Sequence, residues 1–215
     1  MDREATAELL AALAYGERVA ADRARDNVRF APDSRRADAQ RGIADHEQSN
    51  YRLIEARLHE IGSADLTRRF EPFFDAFFAH TEPADWVEAQ AFHYVGDALV
   101  SDFADLLVDL VDPVSAEIVR HALGEREDQE GFALEELSRA LEDDPRTAER
   151  VAAYSRRIVG EGLTQTARAL GESALLRELL GTAEGERRWV LDLLDRHRAR
   201  LDRLGIERVE ADSFD

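Results

Sequence analysis

Acidic side chains recur at positions where helical spacing calls for an apolar residue. Over residues 3–28 the repeating row is Thr6, Leu10, Leu13, Glu17, Ala20 and Ala24. In "DHEQSNYRLI" (45–54), Glu47 and Asn50 fall in line with Ile43, Ile54, Leu58 and Ile61. Further along, His93 and Asp97 share a face with Trp86, Val100, Ala104, Leu107 and Val111. Glu127 and Glu130 stand in a row with Leu123, Leu134, Leu137 and Leu141, and Glu161 with Gln165 in a row with Val151, Tyr154 and Ile158. Among 46 acidic residues, one acid on such a row is most simply an edge position in solvent. Four long helices that each carry one near mid-length are a different matter. Converging carboxylates repel, so they must keep protons or be balanced by a cation.

A pair of divalent metals is the usual balancing charge. Carboxylate di-metal sites in four-helix bundles take one Glu from each of two helices and a Glu-x-x-His from each of the other two. Glu17, Glu47, Asp97, Glu127 and Glu130 form the candidate metal set on that pattern. The arithmetic is incomplete, because neither Glu47-x-x-Asn50 nor Glu127-x-x-Glu130 ends in His. A neutral amide is a poor iron ligand, and an oxygen-only set suits manganese, magnesium, calcium or weakly held iron. His46 points about 100° away from Glu47 on a helix. His93, one turn from Asp97, is a substitute ligand. His197 sits on a row with Val190, Leu194, Leu201 and Leu204 and is expected to be a hydrogen-bonded structural histidine. His59, His80 and His121 read as surface or loop residues.

The elements that must position these groups are helices almost throughout. The periodicity predicts helices over about 3–28, 34–61 (stopped at Gly62), 85–110, 114–142, 145–170, 173–181 and 183–204. Asp85 or Thr81 caps the third. "RFEPFFDAFFAH" forms a short aromatic helix, read as a cover for the core, with an apolar lid over a channel or a dimer face as the functional alternative. The expected architecture is all-α: a four-helix bundle over residues 1–205 with additional C-terminal helices, followed by an acidic tail at 206–215.

Composition narrows the function classes. At 215 residues with 44% apolar content, one domain with a sizeable core is the simplest organisation. The absence of cysteine excludes disulfides, thiolate metal sites and a cysteine nucleophile, and the expected compartment is the cytoplasm. No run approaches a membrane-spanning length, so no membrane partner is expected. The net charge of −18, with every basic residue an Arg, opposes binding to nucleic acid. No phosphate loop, nucleophile elbow or His-Glu-x-x-His helix is present.

"LAYGE" (13–17), "YVGDALVSDF" (94–103), "EDDPRTAERVAAYSRRIVGEGLTQ" (142–165) and "HRARLDRLG" (197–205) resemble the actinobacterial ferritin-like proteins related to the tRNA hydroxylase MiaE. The resemblance implies a ferritin-like bundle and, by the enzyme that names the family, a non-haem di-iron monooxygenase acting on a modified nucleoside in tRNA. It implies two divalent metals, iron or else manganese, with a small apolar or modified-nucleoside substrate. On this resemblance Glu17 matches the ligand of the first helix and Glu47 the Glu of the second, with Asn50 in the place of a His. Asp97 matches the ligand of the third helix. The acid-x-x-His of the fourth falls within "GEREDQEGF", as Arg126/Gln129 or as Glu127/Glu130, and neither frame holds a His. Glu161 matches a recurrent acid, a further ligand or a supporting one.

Two readings follow. One is an oxygen-dependent di-metal oxidoreductase or hydroxylase. The other is a ferritin-like protein without redox catalysis, a pseudoenzyme or metal-binding scaffold whose acids are satisfied by Arg partners, shared protons or an inert ion. A homodimer is compatible with both.

Overall fold

The computed structural model describes residues 3–124, 126–173, 177 and 182–206; the side chains of Leu106, Glu127, Ala183 and Glu186 also lie outside that set. The helices are α1 (Arg3–Asn27), α2 (Ser34–Glu60), α3 (Thr67–His80), α4 (Trp86–Ala91), α5 (Asp97–Leu107), α6 (Pro113–Gly124), α7 (Glu127–Asp143), α8 (Thr147–Ala169) and α9 (Ala183–Arg203), and the described residues include no strand. The helix expected at 173–181 and the tail beyond Ile206 lie outside the described residues, apart from Ser173 and Arg177.

Local chemistry explains the boundaries. The Asp33 carboxylate accepts from the Arg36 amide and starts α2, and Asp85 does the same for Glu88 at the head of α4. Of the two cap candidates for that helix, Asp85 is the one used. Gly62 adopts a φ of 71°, which a side-chain-bearing residue resists, and there α2 stops.

α1 and α2 pack antiparallel along most of their length, and the continuous run α4–α5 and the run α6–α7 complete the four-helix arrangement. α3 lies across α1 and α8. Glycine makes that crossing possible: a Cβ on Gly16 would sit 2.9 Å from Cε1 of Phe74, so the ring uses the space a side chain would take. The Tyr15 hydroxyl, one residue earlier, donates to Asp75 at 2.7 Å and fixes the same crossing. α8 repeats the device, since a Cβ on Gly162 would collide with the Leu99 side chain of α5.

Two expected helices differ in detail. The helix predicted over 85–110 contains a π-helical segment at Phe92–Gly96, between α4 and α5. Such widened turns re-aim the residues beside them, here His93 and Asp97. The helix predicted over 114–142 is not continuous; α6 ends at Gly124 and α7 begins at Glu127. The polar run "GEREDQE" has no apolar phase strong enough to hold one register across the join.

Among the described residues the core holds a small apolar cluster of Ala24, Ile43 and Ala44 and two large ones. One gathers Phe77, Phe78, Phe92, Tyr94, Leu137, Tyr154, Ile158 and Trp189. The other gathers Leu9, Leu10, Ile54, Leu58, Phe70, Leu107 and Val119. Among the described residues no helix is long and apolar enough to cross a membrane.

Candidate functional site

The break between α6 and α7 sends Arg126 into the middle of the bundle, where it is 8% exposed. Its guanidinium meets acids from the first two helices. Nη2 donates to Glu17 in a short charge-assisted hydrogen bond, and to Glu47 Oε2 at 3.3 Å. Nη1 donates to the main-chain oxygen of Asp97 at 3.1 Å and to Ser101 Oγ at 3.3 Å. Glu17 and Glu47 are each 1% exposed. One cation therefore joins all four bundle elements at mid-height.

The charges are tuned accordingly. Burial pushes the Glu17 carboxyl well above the ordinary glutamate range; Arg126 works against this, and the neighbouring Glu47 adds to it. Burial also raises Glu47, but the Arg126 charge and a hydrogen bond from Glu17 outweigh it and leave Glu47 below the ordinary value. The Arg126 guanidinium is held firmly protonated: burial opposes its charge, and the charges of Glu17, Glu47 and Asp97 overcome that opposition. Glu17 Oε2 and Glu47 Oε1 are buried and accept no N–H or hydroxyl hydrogen bond. The raised pKa puts the proton on Glu17, whose carboxyl is hydrogen-bonded to that of Glu47. The trio is then neutral, with one proton and one guanidinium balancing two carboxylates.

A directed hydrogen-bond chain runs beside it. Gln90 Nε2 donates to Gln40 Oε1 at 3.2 Å, and Gln40 Nε2 lies 2.8 Å from His93 Nε2. An amide nitrogen only donates, so His93 Nε2 accepts. His93 Nδ1 then carries the proton and donates to Asp97 Oδ2 at 2.8 Å. Gln40 and Gln90 had no place in the sequence-based candidate set. Both are fully buried, and a polar amide on an otherwise apolar row was their only signal.

Other candidates sit elsewhere. The Asn50 amide nitrogen lies 3.1 Å from His46 Nε2 and donates to the Ala122 carbonyl oxygen at 3.1 Å. Gln129 shares the frame of Arg126 and lines a polar cavity with His46, Asp128 and Phe132; its buried Oε1 accepts no hydrogen bond. Glu130, expected on the inward row, is instead partly exposed and pairs with Arg203 of α9 at 2.7 Å. The side chain of Glu127 is outside the described residues. Glu161 pairs with His80 Nδ1 at 2.8 Å and accepts from Gln165 at 2.5 Å, on the α3–α8 side. His197 is buried on α9, but neither ring nitrogen has a partner, in contrast to the hydrogen-bonded histidine expected there. Burial, with Arg200 and Arg156 nearby, keeps its pKa below the ordinary histidine value.

Residues 2–183 match the family model for the ferritin-fold-like domain, a ferritin-like domain of actinomycetes. The chain belongs to that family. A comparison with curated proteins gives no match. Within this ferritin-like bundle the donors among the described residues do not suit a pair of divalent cations. Arg126 lies between the two Glu carboxylates, Asn50 turns its donating amide nitrogen to its neighbours, and the His93 Nε2 lone pair is engaged by Gln40. No group of three or more His, Cys, Asp or Glu that could hold a metal ion occurs among the described residues.

Proposed function

We propose that this chain is a ferritin-like protein that works without a di-metal centre, its bundle acting as a binding module or scaffold rather than as an oxygen-activating enzyme. One observation carries the reading: the buried Arg126 guanidinium bridges Glu17 and Glu47 at the level where facing helices would present ligands. A divalent ion at that point would meet a fixed positive charge, and an ion pair this deeply buried is strongly destabilised when one partner is removed. On this reading the sequence resemblance to the tRNA-modifying hydroxylases reflects the origin of the bundle rather than its present chemistry. The −18 charge supports the same view of tRNA as a substrate.

Metal analysis tests this. The protein, purified without chelator and loaded anaerobically with ferrous iron or with manganese, is expected to retain well under one ion per chain after desalting. Two irons per chain together with an oxygen-sensitive absorption band would establish the di-iron oxidoreductase reading instead. An Arg126→Ala, Asn50→His variant that gains tight iron, while the parent does not, would show that the guanidinium and the missing imidazole are what exclude it. Retention of labelled tRNA at low salt would return RNA modification to consideration.

A further inference from the structure

A cavity of about 130 Å³ lies between α1, α3, α5, α8 and α9, and it shares no residue with the Arg126 network. Six aromatic rings face it, those of Phe70, Phe73, Phe74, Phe77, Phe103 and Trp189. Leu9, Leu13, Leu99 and Leu107 fill most of the remaining wall. The polar groups in the lining are largely committed to the protein. Glu8 is held by Arg69 at 2.5 Å and by the Ser173 hydroxyl at 2.7 Å. Gln165 donates to Glu161 and accepts from Arg168 at 2.9 Å. Little in the wall therefore calls for ordered water, which needs two or more polar partners.

A packed interior does not normally leave such a space, because every lining group forfeits dispersion contacts across it. Of the lining residues Phe73, Phe74, Leu99, Val100 and Phe103 are half-buried, and on their side the cavity communicates with solvent. α8 approaches α5 closely at Gly162 and Leu99, and both residues line the cavity. An apolar cavity of ~150 Å³ is enough to take up benzene. Among the described lining residues none is basic and Glu8 is the one acid, so an anionic ligand would find no counter-charge.

We propose that this cavity is a binding site for a small neutral apolar molecule, about the size of one aromatic ring, with a short alkyl substituent extending toward the open side. The site is independent of how the bundle-centre carboxylates are balanced, so its failure would leave that reading untouched. Methyl-resolved NMR of the Leu and Val residues, titrated with toluene and, separately, with benzoate as the charged control, tests it. Toluene is expected to shift the methyls of Leu9, Leu13, Leu99, Val100 and Leu107 saturably and to leave those of Leu137 and Val151 in place. Benzoate is expected to bind at least tenfold more weakly. Ala12→Phe fills the space from α1 and Ala169→Leu from α8, so that one variant serves if the other does not fold. Each, when folded, is expected to weaken toluene binding at least tenfold. Shifts that do not saturate up to the solubility of toluene, equal binding of benzoate, or unchanged affinity in a folded filling variant would overturn the proposal.

Discussion

Between Gly16 and Glu17 the interior changes character within one residue of α1. At Glu17 the chain buries a carboxyl group and satisfies it with an arginine, a second acid and a proton. At Gly16 it withholds a side chain altogether, so that the Phe74 ring can seat against the helix and wall an apolar cavity. The polar centre is held by charge-assisted bonds and admits no addition without unbalancing its charge. The cavity is held by ring contacts and has space to spare. A bundle can therefore be closed at its centre and open at its flank, and the flank is the better place to look for a ligand.

The largest effect that separates the two regions is expected from Arg126→Ala. It leaves the buried Glu17–Glu47 pair, which holds one proton, with an uncompensated negative charge and should cost ~3–5 kcal/mol in urea unfolding. Arg126→Met combined with Glu17→Gln and Glu47→Gln removes the charges together and should recover most of that loss. A cost for Arg126→Ala of less than ~1 kcal/mol, as for an exposed ion pair, would show that the centre is wet rather than buried. Next in size is Gly16→Ala. The added methyl presses on the Phe74 ring, and overpacking of that kind costs ~1–3 kcal/mol. Because it acts on the cavity wall, it should also change toluene binding while leaving the Arg126 network intact.

The pH profile comes third. Glu17 has a raised pKa in the folded chain, so the native state holds a proton that the unfolded chain releases. Its contribution is full below the ordinary glutamate range and is lost as pH rises through the folded value. Glu47 is lowered, so its contribution is present above the ordinary range and is lost as pH falls through its folded value. Stability of the wild type should therefore decline on the alkaline side of the glutamate range, and Glu17→Gln should flatten that limb when unfolding is followed from pH 4 to 9. A profile of Glu17→Gln that parallels the wild type would remove the proton on Glu17 from the account. The smallest effect is expected at His197. Its lowered pKa makes the neutral ring the stable form, with stability lost as pH falls through the folded value. His197→Leu should then lose less stability than the wild type between pH 7 and 5, measured in the same unfolding series.

Much of the frame was legible beforehand. Helical spacing located α1, α2, α4–α5 and α8, Asp85 and Gly62 marked ends, and the rows through Glu17, Glu47 and Asp97 pointed inward because each sits within a long apolar repeat whose phase is unambiguous. The sequence also left Arg126/Gln129 and Glu127/Glu130 as two possible frames, and it could not choose between them. Residues 124–131 are polar on every side, so their phase is set by what the break after Gly124 allows and not by their own pattern. The glutamines were missed for a related reason, since one buried amide on a row looks the same whether it meets solvent or another amide.

Periodicity and composition were sufficient for the all-α class and for which acids lie on inward rows, because both follow from local spacing along each helix. Whether those acids meet a metal, a proton or a guanidinium depends on which residue a distant helix delivers to the same level. Only the packed chain brings Arg126, at a helix break, within reach of Glu17 and Glu47, residues 109 and 79 positions away in sequence. The same holds for the flank cavity, two of whose wall residues, Phe74 and Leu99, press against glycines on two other helices.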